Sequence, residues 1–137
     1  MKRKYILNFN YLIADFVSRL MVGSLRKLRY IKIVKTDVAL RLLRILYKHG
    51  VIRTFRIELN YISVYFKFRK GQPLGKLTLV SRPGKRCYWK LGNLSKKYNN
   101  NNFSGFYIIS TSQGFVTSDY CLLSGHEGGE VLIKIEI

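Results

Sequence analysis

Acidic residues are scarce, with 7 Asp and Glu against 25 Lys and Arg in 137 residues. So few carboxylates leave little for acid–base chemistry. His49 and His126 have no cysteine, Ser–Asp pair or carboxylate cluster at useful spacing beside them. Neither an enzyme nor a small-molecule substrate is expected. Cysteine is almost missing too. Cys87 and Cys121 fit neither a metal-site spacing nor a disulfide framework, and they read as small strand or core residues. No metal or cofactor is expected. Nor is there an apolar run near the ~18 residues of a membrane span, so no membrane partner is expected. Residues 1–10 are basic but have no long apolar stretch or small-residue cleavage site, unlike a secretory leader. The glycines from Gly125 to Gly129 do not follow the strand–glycine–helix order of a phosphate loop. No repeat of solenoid length occurs.

What is present is positive charge. The formal net charge is +18. Self-repulsion at that level opposes a compact monomer, so a polyanion partner is expected. An anionic membrane surface would need an amphipathic helix with a spare apolar face. The apolar faces here are better used in a core, which the 47% apolar content can supply. The charge is uneven. Residues 1–56 carry 14 basic and 2 acidic residues, and residues 57–98 carry 10 basic residues and Glu58. Residues 99–137 hold Lys134 against Asp119, Glu127, Glu130 and Glu136. The last part of the chain therefore does not bind through bulk charge, and any contact it makes with a polyanion is expected through neutral hydrogen-bonding groups.

Apolar spacing predicts a helix over 11–26, with Leu12, Ile13, Phe16, Val17, Leu20 and Met21 inward and Asn10 as N-cap. Gly23 and Ser24 are positioned to end it early. Tyr30 to Val34 alternates like a strand. Thr36 caps a second helix with Asp37 in its first turn, Arg41, Arg44 and Lys48 outward, and Gly50 at its end. Residues 51–58 and 61–69 read as paired strands, with Ile62, Val64, Phe66 and Phe68 inward. Gly71-Gln72-Pro73 breaks the pattern. Beyond it follow a strand over 76–80, a Pro83-Gly84 turn, a strand over 85–89 and an asparagine-rich loop at 99–102. A buried strand over 106–109 comes next. Thr117 or Ser118 then caps a short helix, Gly125 to Gly129 form a flexible link, and a last strand over 131–137 turns Ile133, Ile135 and Ile137 inward. The expected class is α+β, with two small lobes. Residues 1–10 form a basic extension. Residues 11–72 form a helix-strand-helix-strand-strand lobe. Residues 73–137 form a mainly antiparallel β lobe with one short helix.

Two segments have chemistry suited to RNA. Arg82, Lys85 and Arg86 flank the Pro-Gly turn and can neutralise phosphates, with Tyr88 and Trp89 just beyond. Strand alternation sends Tyr88 and Trp89 to opposite faces, one buried and one exposed. Ser110-Thr111-Ser112-Gln113-Gly114 gathers three hydroxyls and a glycine after a buried strand. Hydroxyls and backbone amides can bond base edges, 2′-hydroxyls or phosphates without net charge.

Three stretches together resemble the bacterial-type family of small-subunit ribosomal protein eight. They are Ile13-Ala14-Asp15 with Ser18-Arg19-Leu20, then the run Val80 to Tyr88 with its Ser81-Arg82-Pro83-Gly84 turn, then Ile108 to Gly114 followed by Gly128-Gly129-Glu130-Val131. The resemblance runs from about Leu12 to the end. It implies two α+β lobes that bind an irregular helical element in the central domain of small-subunit rRNA and help it assemble, beside neighbouring small-subunit ribosomal proteins. It implies that Ser110, Thr111 and Ser112 read an unpaired region in the minor groove. Tyr88, Gly128 and Gly129 would lie beside them, with Glu130 bracing the loop, because a bare carboxylate near phosphate is repulsive. Arg19 and Lys35 join the expected RNA-binding set with Arg82, Lys85, Arg86, Gln113 and Gly114. The chain departs from the family at Gln113, where a lysine is usual, and at Met21-Val22, where an Arg-Asn pair is usual. Residues 93–105 are diverged, and Lys2, Arg3 and Lys4 add charge. The alternative function is repression of its own mRNA through the same surface. Richness in Asn, Lys, Tyr, Ile and Phe points to an AT-rich coding genome, common in organelles. With that divergence and the missing targeting segment, a mitochondrial ribosome in the matrix is the expected location, and a plastid or the bacterial cytoplasm the alternative.

Overall fold

The structure, a computed structural model, describes residues 9–73, 75–82, 84–90, 104–125 and 128–137. Expectations that concern residues 1–8, Pro83, the 99–102 loop and His126 lie outside the described residues. The class is α+β, with helices and a small sheet first and a larger antiparallel sheet after. The chain divides into two compact units, the first ending at Lys76 and the second spanning Leu77–Ile137.

In the first unit, α1 (Phe9–Leu25) is followed by β1 (Tyr30–Val34), α2 (Asp37–Lys48), β2 (Ile52–Ile57) and β3 (Tyr61–Phe66). The apolar stripe of α1 buries Ile13, Phe16, Val17 and Leu20, while Leu42, Leu43 and Leu46 of α2 are fully enclosed. Each such leucine contributes about 2 kcal/mol by leaving water. Thr36 sits in extended backbone, and its hydroxyl accepts from the Ala39 amide at 3.1 Å, which starts α2 where expected. Two expectations for α1 are corrected. Asn10 lies inside the helix, which starts at Phe9, so it is not the cap. Gly23 and Ser24 do not end the helix either; it runs on to Leu25 and closes at Lys27, whose φ is +57°.

The first sheet is antiparallel in the order β1-β3-β2. Its inner face carries Ile33, Ile62 and Val64, all buried. Gly23 brings α1 against this face, since a Cβ there would stand 2.7 Å from Ile31 Cγ2 and 2.9 Å from the Phe66 ring. Tyr47 of α2 packs edge-on to Phe55 of β2, centroids 6.1 Å apart. Both helices therefore cover the same face. Phe68 departs from its expected inward position and is 36% exposed. It lies past the end of β3 in a small hairpin, β4 (Phe68–Arg69) with β5 (Gln72–Pro73), whose turn residues Lys70 and Gly71 both have positive φ.

The second unit is built around β10 (Gly128–Glu136). It pairs with β8 (Gly105–Thr111), and β8 pairs with β9 (Gly114–Thr117); β6 (Lys76–Leu79) and β7 (Tyr88–Lys90) also pair with β10. The expected strand over 85–89 is thus displaced to 88–90, because the residues before it are held in the turn. The helix α3 (Ser118–Ser124) is capped by Thr117, whose hydroxyl accepts from the Tyr120 amide. The Ser118 hydroxyl instead accepts from the Tyr107 amide at 3.0 Å and ties α3 to β8. Tyr107, Ile109, Val131 and Cys121 form a buried cluster, with Trp89 packed against it. Ile133 and Ile135 are buried as expected, but Ile137 is 50% exposed at the chain end.

Candidate RNA interface

The hydroxyl segment is mostly strand. Ser110 and Thr111 end β8, Gly114 begins β9, and Ser112-Gln113 alone make the connection. The loop expected over 110–114 is thus a two-residue turn, with Thr111 and Gly114 directly paired. The Thr111 hydroxyl closes the turn from inside, donating to the Gly114 carbonyl at 3.0 Å and accepting from the Gln113 amide at 3.2 Å. Its bonding capacity is largely engaged there. Ser112 and Gln113 project into solvent at the tip.

Gly128 and Gly129 also differ from expectation, being the first residues of β10 and not part of a link. The reason is close approach. A Cβ on Gly129 would run into the Ser110 carbonyl, and one on Gly128 into the Trp89 carbonyl. Two glycines thus let β7 and β8 flank the start of β10.

That approach sets a row across the sheet. Tyr88 faces Glu130, Glu130 faces Ser110, and Ser110 faces Phe115. Directly opposed residues on antiparallel strands share a face. The structure therefore brings Tyr88, Glu130 and Ser110 into one line from three segments far apart in sequence. Tyr88 is 62% exposed, while Trp89 turns inward onto Tyr107 with centroids 4.9 Å apart. Alternation had predicted that split. Glu130 is half-buried between Tyr88 and Ser110 in this row.

The basic turn adjoins this row. Buried Ser81 accepts from the Cys87 amide at 2.7 Å and closes the 81–87 segment. Within it, Arg82 and Lys85 exchange backbone hydrogen bonds of 3.1 and 2.9 Å, and Gly84 has φ +83°. The Val131 amide donates to the Cys87 carbonyl at 2.9 Å and joins the turn to β10. Arg82, Lys85 and Arg86 are all exposed. Arg19 and Lys35 lie in the first unit with local partners: Arg19 pairs with Asp15 at 2.9 Å, and the Lys35 Nζ donates to the Glu58 carbonyl at 3.2 Å. Sequence reading missed Phe115 and Lys90. Both were legible once the 112–113 connection is read as a two-residue turn, which sets 110 opposite 115, and once alternation puts exposed Lys90 on the side of Tyr88.

Fold and site define a class: a small, strongly basic α+β protein whose second sheet lines up an exposed ring, a hydroxyl turn and two obligatory glycines beside a cationic turn. The chain belongs to the ribosomal protein S8 family, whose model matches residues 12–135. It is similar to the small ribosomal subunit protein uS8 of Neorickettsia sennetsu, 33% identical over 132 residues, covering 92% of this chain and 98% of that one. The uS8 of Anaplasma marginale is 37% identical over 129 residues, with 90% and 95% covered. That of Rhodospirillum centenum is 29% identical over 135 residues, with 94% and 99% covered. The resemblance to the bacterial type thus extends along nearly the whole chain.

Proposed function

We propose that this chain is a structural protein of the small ribosomal subunit that binds the central domain of small-subunit rRNA and supports its assembly. Neighbouring small-subunit proteins are its other partners, and its ribosome is mitochondrial. The observation that carries the reading is the row Tyr88–Glu130–Ser110 beside the Ser112-Gln113 tip. It collects a stacking ring and hydroxyls on one sheet face beside the basic turn. Such groups read RNA by shape and hydrogen bonding. Ser112 and Gln113 contact an unpaired stretch in the minor groove, the Ser110 hydroxyl joins them, and Thr111 with Gly114 holds the turn. Tyr88 stacks, Gly128 and Gly129 admit the close strands, and Glu130 braces the row. Arg82, Lys85 and Arg86 neutralise phosphates, as do Arg19 and Lys35 from the first unit.

The test is a salt series of binding to a central-domain rRNA fragment, for wild type and Ser112→Ala. The substitution weakens specific binding by about 1–3 kcal/mol while the salt slope and non-specific binding stay unchanged. Equal binding of both proteins to any RNA of the same length sinks the reading.

A further inference from the structure

The helices of the first unit cover one face of its sheet, and the other face carries an unusual set of side chains. Tyr30, Lys32 and Val34 of β1 stand opposite Tyr65, Ser63 and Tyr61 of β3. On the far side, Thr54 and Arg56 of β2 face Tyr65 and Ser63. The chain has 10 tyrosines, and three of them are on this one surface. Tyr30 and Tyr65 stack at 5.3 Å with their planes 31° apart, and Tyr30 remains 45% exposed. The Lys32 ammonium lies 4.8 Å over the Tyr61 ring. Val34 is 63% exposed, so the face is not simply polar.

We propose that this face is a stacking platform for an unpaired RNA strand, a second binding surface beyond the hydroxyl turn. Tyr30 is the most exposed ring of the set, and with one face tilted onto Tyr65 it offers the other to a base. A sheet face with exposed rings holds bases in this way whatever their sequence, because every base has a π-face. The charge fits the same partner. Lys27, Arg29, Lys32 and Lys35 follow one another along β1 and its approaches without an acid between them. Glu58 is the single carboxylate across residues 52–66, and it lies 3.6 Å from Arg56. An apolar protein partner would meet the Lys32 ammonium and the Arg56 guanidinium on this face. A duplex would hide the base faces that the rings can use.

The test uses the full chain and a labelled ten-nucleotide oligouridine, with an RNA duplex of the same length as comparison, read by fluorescence anisotropy. Tyr30→Leu keeps an apolar residue in the strand but removes the ring. It weakens oligouridine binding about tenfold and leaves duplex binding unchanged. Tyr30→Phe keeps the ring and binds as wild type, which separates stacking from any loss of folding. Lys32→Gln lowers the salt slope by about one. Tyr30→Leu lowers oligouridine binding by the same factor in wild type and in a Ser112→Ala background, so this surface and the hydroxyl turn are judged separately. If Tyr30→Leu binds oligouridine as wild type does, or if Tyr30→Phe loses as much, the proposal is overturned, and the face belongs to a protein neighbour or to solvent.

Discussion

Both helices of the first unit end in the same geometry, with different residues at the decisive position. After α2 the Val51 amide donates to Leu46 and the Gly50 amide to Tyr47, with Gly50 at φ +73°. After α1 the Leu28 amide donates to Gly23 and the Lys27 amide to Ser24. This is the Schellman pattern, which calls for a left-handed residue. Glycine meets that need freely, whereas Lys27 meets it at φ +57° with a Cβ in the way. Lys27→Gly is expected to stabilise the chain by about 0.5–1 kcal/mol, seen as a higher urea midpoint with the slope unchanged. Lys27 also adds charge where RNA is proposed to run, so the same variant should bind RNA slightly more weakly. Gly129→Ala has the opposite character. The added Cβ meets the Ser110 carbonyl, backbone that cannot swing away. It should cost at least ~2 kcal/mol and reduce specific rRNA binding, because β8 and β10 must part. At the thiols, burial pushes the Cys121 pKa up, and its side chain is enclosed. The reactive thiolate is therefore disfavoured in the folded chain. A thiol reagent at pH 8 should modify half-buried Cys87 first and reach Cys121 at the rate of unfolding; equal rates would mean that α3 opens readily.

At the scale of elements, a glycine in the last turn of α1 sets how closely the helix approaches its sheet. Gly23 touches Ile31 and Phe66, and Ala there must push a branched side chain and a ring aside. Its better helix propensity, about 1 kcal/mol, does not offset overpacking of about 1–3 kcal/mol. Gly23→Ala should therefore lower the melting temperature, even though it improves the isolated helix. The sequence reading took this glycine for a stop signal because a helix end and a close contact both favour a missing side chain. The same ambiguity affected Gly128 and Gly129, read as a flexible link and found as the start of a strand. Periodicity, by contrast, was reliable where the chain stays in one element: β1, α2 and the 106–109 core strand were all legible from spacing. It failed where the element ended. Phe68 keeps the parity of Phe66 but comes after the break at Lys67, so it packs beside Phe66 at 6.5 Å instead of into the core. The candidate site was legible as three segments. Their alignment was not, since the Tyr88–Glu130–Ser110 row depends on strand register, and register comes from pairing between distant residues.

At the scale of the whole molecule, the net charge of +18 acts on folding and on binding in opposite directions. Among the described residues, ion pairs such as Arg41–Asp37 and Arg19–Asp15 lie at the surface and each contributes little. Most basic residues therefore repel one another in the free protein. Added salt shortens the reach of that repulsion, from ~30 Å at 0.01 M to ~10 Å at 0.1 M. The free chain should melt a few degrees higher in 200 mM KCl than in 20 mM. Binding should respond the other way. If roughly 6–10 phosphates are engaged, affinity for rRNA falls about 10³-fold or more between 50 and 200 mM salt. The two slopes, measured on one preparation, separate the roles of the charge. A melting temperature that falls with salt would mean that local attraction, not repulsion, dominates the free chain. In that case the basic residues would be matched within the protein, and rRNA would have to break those pairs before gaining its own. Opposite slopes would instead show that RNA supplies the counter-charge the fold lacks, so that binding also stabilises the fold.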